Sequence, residues 1–137
     1  MIVRLVEAVV RGGNLLPNVG PDAEGRIPAA QQRTLRELGT WMRRFGEAVQ
    51  GTRAGPLQPV DGVWGTTQRG DRVYLHVLRW PDDVLQLPVL PRRVRAARNL
   101  SGAGVGWREH ERGLAVTVAP QDRGAPVTVI EFTLAVA

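Results

Sequence analysis

The stretch that decides the fold is "GGNLLPNVGPDAEGRIP", residues 12–28. Residues 14–19 carry continuous apolar character, which is typical of a short strand buried on both faces of a parallel sheet. A loop rich in Gly, Pro, Asp and Glu follows. Pro28 then suits the first turn of a helix, because its missing N–H is not needed there. The stretch therefore predicts a strand, a polar loop and the start of a helix.

Helical periodicity flanks this stretch on both sides. Residues 2–10 repeat apolar side chains at the spacing of one helix face, and Gly12-Gly13 provides a stop. Residues 28–46 form a second predicted helix with a strongly apolar face, made of Leu35, Leu38, Trp41, Met42 and Phe45, and Val49 continues the same spacing just beyond it. The first fifty residues are therefore predicted to be helix, strand, helix.

The composition of the sequence changes near residue 51. Residues 51–62 have the Gly and Pro density of a linker. Beyond them, short β-like segments alternate with turn signals, which favours an antiparallel sandwich. The segments are 63–68, 72–80, 84–89, 92–98, 105–110, 114–118 and 127–135. We predict a helical unit at 1–50, a linker at 51–62 and a sandwich at 63–137.

Composition argues against several function classes. The 137 residues carry a formal net charge of +5, but the arginines alternate with acids instead of clustering with aromatics, so we expect no nucleic-acid partner. The chain has no cysteine and only His76 and His110, far apart, so we predict no metal site. We see no span of ~20 apolar residues and no signal peptide, so we expect no membrane partner. The compartment stays open, with the cytoplasm favoured.

Three blocks in order carry a family resemblance: "LVEAVVRGGNLLPNVGPDAEGRIP", "LRELGTWMRRFGEAVQGTR" and "WGTTQRGDRVYLHVLRWP". Together they resemble the C-terminal portion of the α-L-fucosidases of glycoside hydrolase family 29. The resemblance implies that residues 14–19 are the last strand of a (β/α)8 barrel and that 2–11 and 28–46 are its flanking helices. The implied fold is α+β, a helix-strand-helix remnant of that barrel followed by an antiparallel β-sandwich. Pro17 departs from the family pattern, since proline has no N–H for a sheet ladder.

The resemblance also implies a reaction, the retaining hydrolysis of terminal α-L-fucosides by two carboxyl groups. In that family both groups come from barrel segments upstream of the matched region. We therefore assign no catalytic residue and expect an isolated monomer to lack activity. The implied partner is a fucosylated glycan or fucoside, and no cofactor is implied.

Four residues are candidates for substrate binding. Asn18 lies near the C-terminal end of the predicted strand, and Asp22 and Glu24 lie in the loop after it, the face where barrel enzymes bind substrates. Trp64 begins a strand and is a candidate stacking platform for a sugar ring. Purely structural roles for these residues remain open. Asp22 and Glu24 also suit a turn before a helix, and Asn18 suits a backbone cap.

Two further hypotheses concern other classes of function. An accessory carbohydrate-binding or structural module would use Trp64 or Trp107 on the sandwich. A lone barrel strand would leave unpaired backbone groups and uncovered apolar helix faces, which predicts homo-oligomerisation through residues 1–50. Such an oligomer offers a composite active site, with Asp22 and Glu24 contributed by different copies.

Overall fold

The computed structural model describes residues 1–137 and contains two α-helices followed by eight β-strands. The helices are α1 (Ile2–Val9) and α2 (Ala29–Phe45), and α2 continues into a 3₁₀ turn at Gly46–Ala48. The strands are β1 (Arg53–Ala54), β2 (Trp64–Arg69), β3 (Arg72–Val77), β4 (Val84–Leu87), β5 (Val94–Asn99), β6 (Gly106–His110), β7 (Gly113–Thr117) and β8 (Thr128–Leu134). No helix is both long and apolar enough to cross a membrane.

The strands form two antiparallel sheets that face each other. The larger sheet has the order β1-β2-β3-β8-β5, and the smaller has the order β4-β7-β6. Alternating residues of each strand point between the sheets, as Val73, Leu75 and Val77 do on β3. With residues such as Leu114 and Phe132 they make one buried apolar core. This is the sandwich that the alternating segments predict.

The helices cover part of the outer face of the larger sheet. Val6 and Val10 at α1, with Trp41 and Phe45 on α2, pack against Val129 and its neighbours in a second buried cluster. The rings of Trp41 and Phe45 lie 5.4 Å apart between centroids. The apolar periodicity of the two helices is therefore the cause of this second layer.

Gly65 on β2 allows α1 to come close to the sheet. A Cβ atom at Gly65 would lie 2.7 Å from Cβ of Val10, which is too close for any real contact. A glycine in a central strand often marks such an approach of another backbone. The close packing of α1 on the sheet thus requires that residue 65 has no side chain.

The predicted fold class and both predicted helices are confirmed, and each of the seven β-like segments overlaps a strand within one residue of its bounds. Residues 51–62 are not simply irregular, because β1 pairs with β2 and Leu57 is buried in the sandwich core. The boundaries at residues 50 and 62 stay a prediction.

The strand predicted at 14–19 is the exception, because residues 13–28 contain no strand. A β-strand is held by hydrogen bonds to a neighbouring strand, and none of the eight strands pairs with this segment. Pro17 removes one further donor. The local sequence is apolar enough for a barrel strand, but the chain offers it no partner.

Candidate functional site

The segment after α1 leaves apolar side chains open to solvent. Leu16 is 87% exposed, and Val19 is also exposed, whereas Leu15 is half-buried. The segment is tied to α2 by the backbone N–H of Gly20, which donates to Oε1 of Gln31 at 2.8 Å. The loop therefore has a fixed attachment while its most apolar side chain stays uncovered.

The N-terminal half of α2 continues this surface. Leu35 and Leu38 follow Gln31 at i+4 and i+7, so they share the helix face that meets the loop. Both are half-buried, and neither belongs to the two buried apolar clusters. We call Leu15, Leu16, Val19, Leu35 and Leu38 the open apolar face.

A tight turn holds the two candidate acids. Oδ1 of Asp22 accepts the backbone N–H groups of Glu24 and Arg26 at 3.0 and 2.8 Å, and Gly25 in the turn adopts a φ of 79°. The guanidinium of Arg26 donates to both carboxylates, to Oδ2 of Asp22 through Nε and to Oε2 of Glu24 through a terminal nitrogen, each at 3.1 Å. One arginine thus holds both acids on the same side of the turn.

This geometry differs from that of a glycosidase pair. Retaining glycosidases place two carboxyl groups about 5–5.5 Å apart on either side of the scissile bond. Asp22 and Glu24 instead share one cation on the same side of a turn, which is not an arrangement on either side of a bond. Within one copy they organise the turn, and their binding to substrate stays a prediction.

The two asparagines of the loop differ in their surroundings. Asn18 is exposed and makes no hydrogen bond, so its amide is free to bind a ligand. Asn14 lies at the edge of a hollow of about 420 Å³ beside Gly12, Thr52 and Arg53. The substrate-binding role of Asn18 stays a prediction.

Trp64 is not the exposed platform that its position suggests. It is 5% exposed and packs in the sandwich core, because it pairs with Val77 on the inward face of β2. The expectation of an accessible ring at Trp64 is therefore wrong. Trp107 on edge strand β6 is half-buried, so of the two residues named for stacking only Trp107 presents surface to solvent.

His76 is fully buried under the helical layer. The hydroxyl of Thr67 donates to the carbonyl of Ala48 at 2.6 Å, so its oxygen accepts a hydrogen bond from Nε2 of His76 at 3.0 Å. Nδ1 has no partner. Burial lowers the pKa of His76 to about 4, although the nearby Ala48 carbonyl opposes this shift. His76 is a neutral core residue, as its place on an apolar strand indicates.

Glu131 is a buried acidic residue. It lies on the helix-covered side of β8 and accepts a 2.8 Å hydrogen bond from Arg98 on β5, with Arg72 of β3 at 3.6 Å. Arg98 also reaches Glu47 in the 3₁₀ turn. The hydrogen bond to Glu131 is the main reason that the pKa of Arg98 is raised. Oε2 of this acid therefore links β8 to arginines on two neighbouring strands.

No group of three or more His, Cys, Asp or Glu residues is arranged to hold a metal ion. The acids described above are bound to arginines, and the buried histidine is closed off from solvent. The structure is thus an α+β unit in which a helix pair with an open apolar face packs on a β-sandwich.

Comparison with known proteins identifies the family. The family model for α-L-fucosidase matches residues 1–47. The α-L-fucosidase of Branchiostoma floridae is 41% identical over 116 residues, covering 82% of this chain and 25% of that protein. α-L-fucosidase isoenzyme 1 from Paenibacillus thiaminolyticus superposes with a TM-score of 0.86 at 37% identity, covering 98% of this chain and 34% of that one.

A further relative from Bacteroides thetaiotaomicron, a glycoside hydrolase family 29 enzyme solved as a trapped covalent intermediate, superposes with a TM-score of 0.84 at 28% identity. The superposition covers 98% of this chain and 32% of that one. The chain therefore corresponds to the C-terminal portion of the α-L-fucosidases of this family. It spans about a quarter to a third of the length of these relatives.

Proposed function

We propose that the chain works as the C-terminal portion of an α-L-fucosidase-type glycosidase and completes its active site together with the rest of a barrel. The observation that supports this most strongly is the similarity to the Paenibacillus enzyme, which extends over 98% of the chain but only 34% of that protein. The substrate class proposed is a fucosylated glycan or fucoside.

The open apolar face is where the rest of the barrel would bind. Residues 14–19 would gain the neighbouring strand that they lack here, and Leu15 and Leu16 would be buried by it. A buried leucine side chain contributes about 1.5–3 kcal/mol relative to an exposed one, so covering this face is favourable. Asn18 would then lie at the end of a barrel strand, where such enzymes bind their substrates.

The two catalytic carboxyl groups would come from the remaining two thirds of the enzyme. One would form the covalent glycosyl intermediate, and the other would serve as acid and then as base. Asp22 and Glu24 are proposed to shape the loop at the edge of that site, since Arg26 binds both of them.

An activity assay tests this proposal. The purified chain alone should hydrolyse an aryl α-L-fucoside no faster than buffer does. Mixed with a separately produced polypeptide covering the barrel portion of the Paenibacillus relative, it should restore turnover that neither part has alone. Turnover by the chain alone that survives repeated purification would contradict the proposal, and so would failure of a verified complex to turn over.

Homo-oligomerisation through residues 1–50 is proposed for the chain in the absence of such a barrel. The supporting observation is the exposure of Leu16 and Val19 beside two half-buried leucines of α2. A contiguous apolar patch of this kind is typically covered by a partner. A composite site made of Asp22 and Glu24 from different copies would first require Arg26 to release them.

A further inference from the structure

We infer that two copies of the chain pair their residues 14–18 as an antiparallel β-ribbon about a two-fold axis at Leu16, and that Pro17 limits the assembly to a dimer. This pairing is one form of the self-association proposed above and rests on that proposal. It defines which backbone groups meet, in which register, and how many copies take part.

The backbone between α1 and α2 has unused hydrogen-bonding groups. None of the backbone hydrogen bonds of the structure involves residues 14–19. The segment is nevertheless anchored at both ends, because Gly13 donates its N–H to the carbonyl of Ala8 at 2.9 Å and Gly20 donates to Gln31. The free N–H and C=O groups are therefore held next to the body of the protein, which lowers the entropy that a partner strand would cost.

The side chains of the segment alternate in exposure. Asn14, Leu16 and Asn18 are exposed, whereas Leu15 and Pro17 between them are half-buried. A period of two is typical of an extended chain with one face on the protein and the other toward solvent. The segment therefore has the side-chain pattern of a strand without the hydrogen bonds of one.

Pro17 makes the two edges of this extended segment unequal. In a strand, the N–H and C=O of one residue point to the same edge, and those of the next residue point to the opposite edge. The edge formed by Asn14, Leu16 and Asn18, which we call the pairing edge, keeps every donor, whereas Pro17 removes a donor from the other edge. One edge is thus suited to pairing and the other is interrupted, so pairing stops at two copies instead of extending.

The register follows from the residues of the pairing edge. A two-fold axis at Leu16 places this residue opposite Leu16 of the second copy and places Asn14 opposite Asn18. Each of the three pairs then exchanges two N–H···O=C hydrogen bonds. The leucine side chain, 87% exposed in the single chain, packs against its own counterpart. A register shifted by two residues would set Leu16 against an asparagine and lose this contact.

The geometry of the ribbon has a consequence for function. Val19 of one copy lies about 20 Å from Val19 of the other, because the strands run in opposite directions. The loops at residues 20–28 therefore lie beyond opposite ends of the ribbon, and this dimer does not bring Asp22 of one copy to Glu24 of the other. It also occupies the segment that a barrel would pair with, so a barrel portion should displace the second copy.

Disulfide formation tests the register, because the chain has no cysteine of its own. Asn14→Cys and Asn18→Cys chains, mixed in equal amounts with oxidised glutathione, should form a mixed disulfide, since opposed Cα atoms of such a pair lie about 5.5 Å apart. Each variant alone is the control and should stay unlinked, because its two thiols would lie about 13 Å apart along the ribbon. Disulfides within each variant at the yield of the mixed one would overturn the register.

Proline substitutions test the pairing edge. Asn18→Pro removes an N–H from the pairing edge of each copy and should raise the dissociation constant of the dimer about tenfold or more, as measured by sedimentation equilibrium. Val19→Pro is the matched control, because Val19 is an exposed neighbour whose N–H lies on the other edge. It should leave the dissociation constant unchanged.

Three results would overturn the inference: equal weakening by the two proline variants, assembly beyond two copies, or a wild-type chain that is monomeric at micromolar concentration. These measurements use the chain alone and do not depend on activity. Failed complementation by the barrel portion would reject the proposed enzyme function and leave the dimer standing, whereas complementation by a chain that stays monomeric would reject the dimer alone.

Discussion

At the scale of single residues, His76 makes stability depend on pH. The folded protein binds a proton at His76 only below about pH 4, whereas the unfolded chain binds one below the ordinary value of 6.5. Between these values acid therefore favours unfolding. With about 1.4 kcal/mol for each pKa unit, the free energy of unfolding should fall by roughly 3 kcal/mol as the pH is lowered through this window.

Urea denaturation at a series of pH values measures this effect. His76→Phe should flatten the dependence between pH 6.5 and 4, because it removes the group that titrates, although it also removes the hydrogen bond to Thr67. His110→Gln is the control, since His110 is exposed on β6 and should leave the dependence intact. An unchanged slope in the His76 variant would show that other groups cause the acid sensitivity.

Some residue roles could be predicted from sequence and others could not. The burial of His76 follows from apolar residues on both faces of its strand. The exposure expected at Trp64 was wrong, because a strand's first residue can point inward as easily as outward, and only the register with Val77 decides. The binding of Asp22 and Glu24 to Arg26 depends on a turn geometry that residue types alone do not specify.

At the scale of elements, the contact between α1 and β2 depends on Gly65. Gly65→Ala would bring a methyl group to within 2.7–2.8 Å of Val10, so the helix must shift away from the sheet. We expect a loss of about 1–3 kcal/mol in the free energy of unfolding, as for other overpacked sites. Gly104→Ala is the control, because nothing lies within 4 Å of the added atom. Thermal and urea unfolding of the two variants should differ clearly, and equal stability would contradict the close approach.

Glu131 contributes to the contacts between three strands of the larger sheet. Glu131→Ala removes the carboxylate that accepts a hydrogen bond from Arg98 and lies near Arg72. The strands β3, β5 and β8 then lose an ionic contact that joins them. Because both arginines are about half exposed and water can replace part of the interaction, we expect a loss of about 1–3 kcal/mol. Urea denaturation against Glu111→Ala, an exposed acid without an ion pair, measures it. Equal midpoints for the two variants would mean that the buried ion contributes nothing.

Helices and strands differ in how well the sequence predicts them. The helices are confirmed within a residue or two, because their periodicity and stop signals are local. The strand at 14–19 did not form, because a strand needs a partner that no local pattern supplies. Pro17 marked this position in advance as the one departure from the family pattern.

At the scale of the whole molecule, the alternation of β-like segments with turn signals predicts a sandwich, but it does not predict which strands form the edges of the two sheets. The pairing of β8 between β3 and β5 brings together residues far apart in the chain. At the sandwich edge, the backbone N–H of Val94 on β5 donates to Oε1 of Glu109 on β6 at 2.8 Å. The sequence offered no signal that Glu109 lies beside Arg93.

Self-association is the prediction that belongs to the whole molecule, and it follows from the open apolar face. The chain should form an oligomer at micromolar concentration, and Leu16→Glu should shift it to the monomer, because a carboxylate placed in an apolar interface is strongly unfavourable. Val136→Glu is the matched control, since Val136 is 77% exposed and lies outside residues 1–50. Sedimentation equilibrium of the three proteins gives their masses. If Val136→Glu dissociates the oligomer and Leu16→Glu does not, the contact lies elsewhere, and a wild-type chain that stays monomeric would remove the prediction altogether.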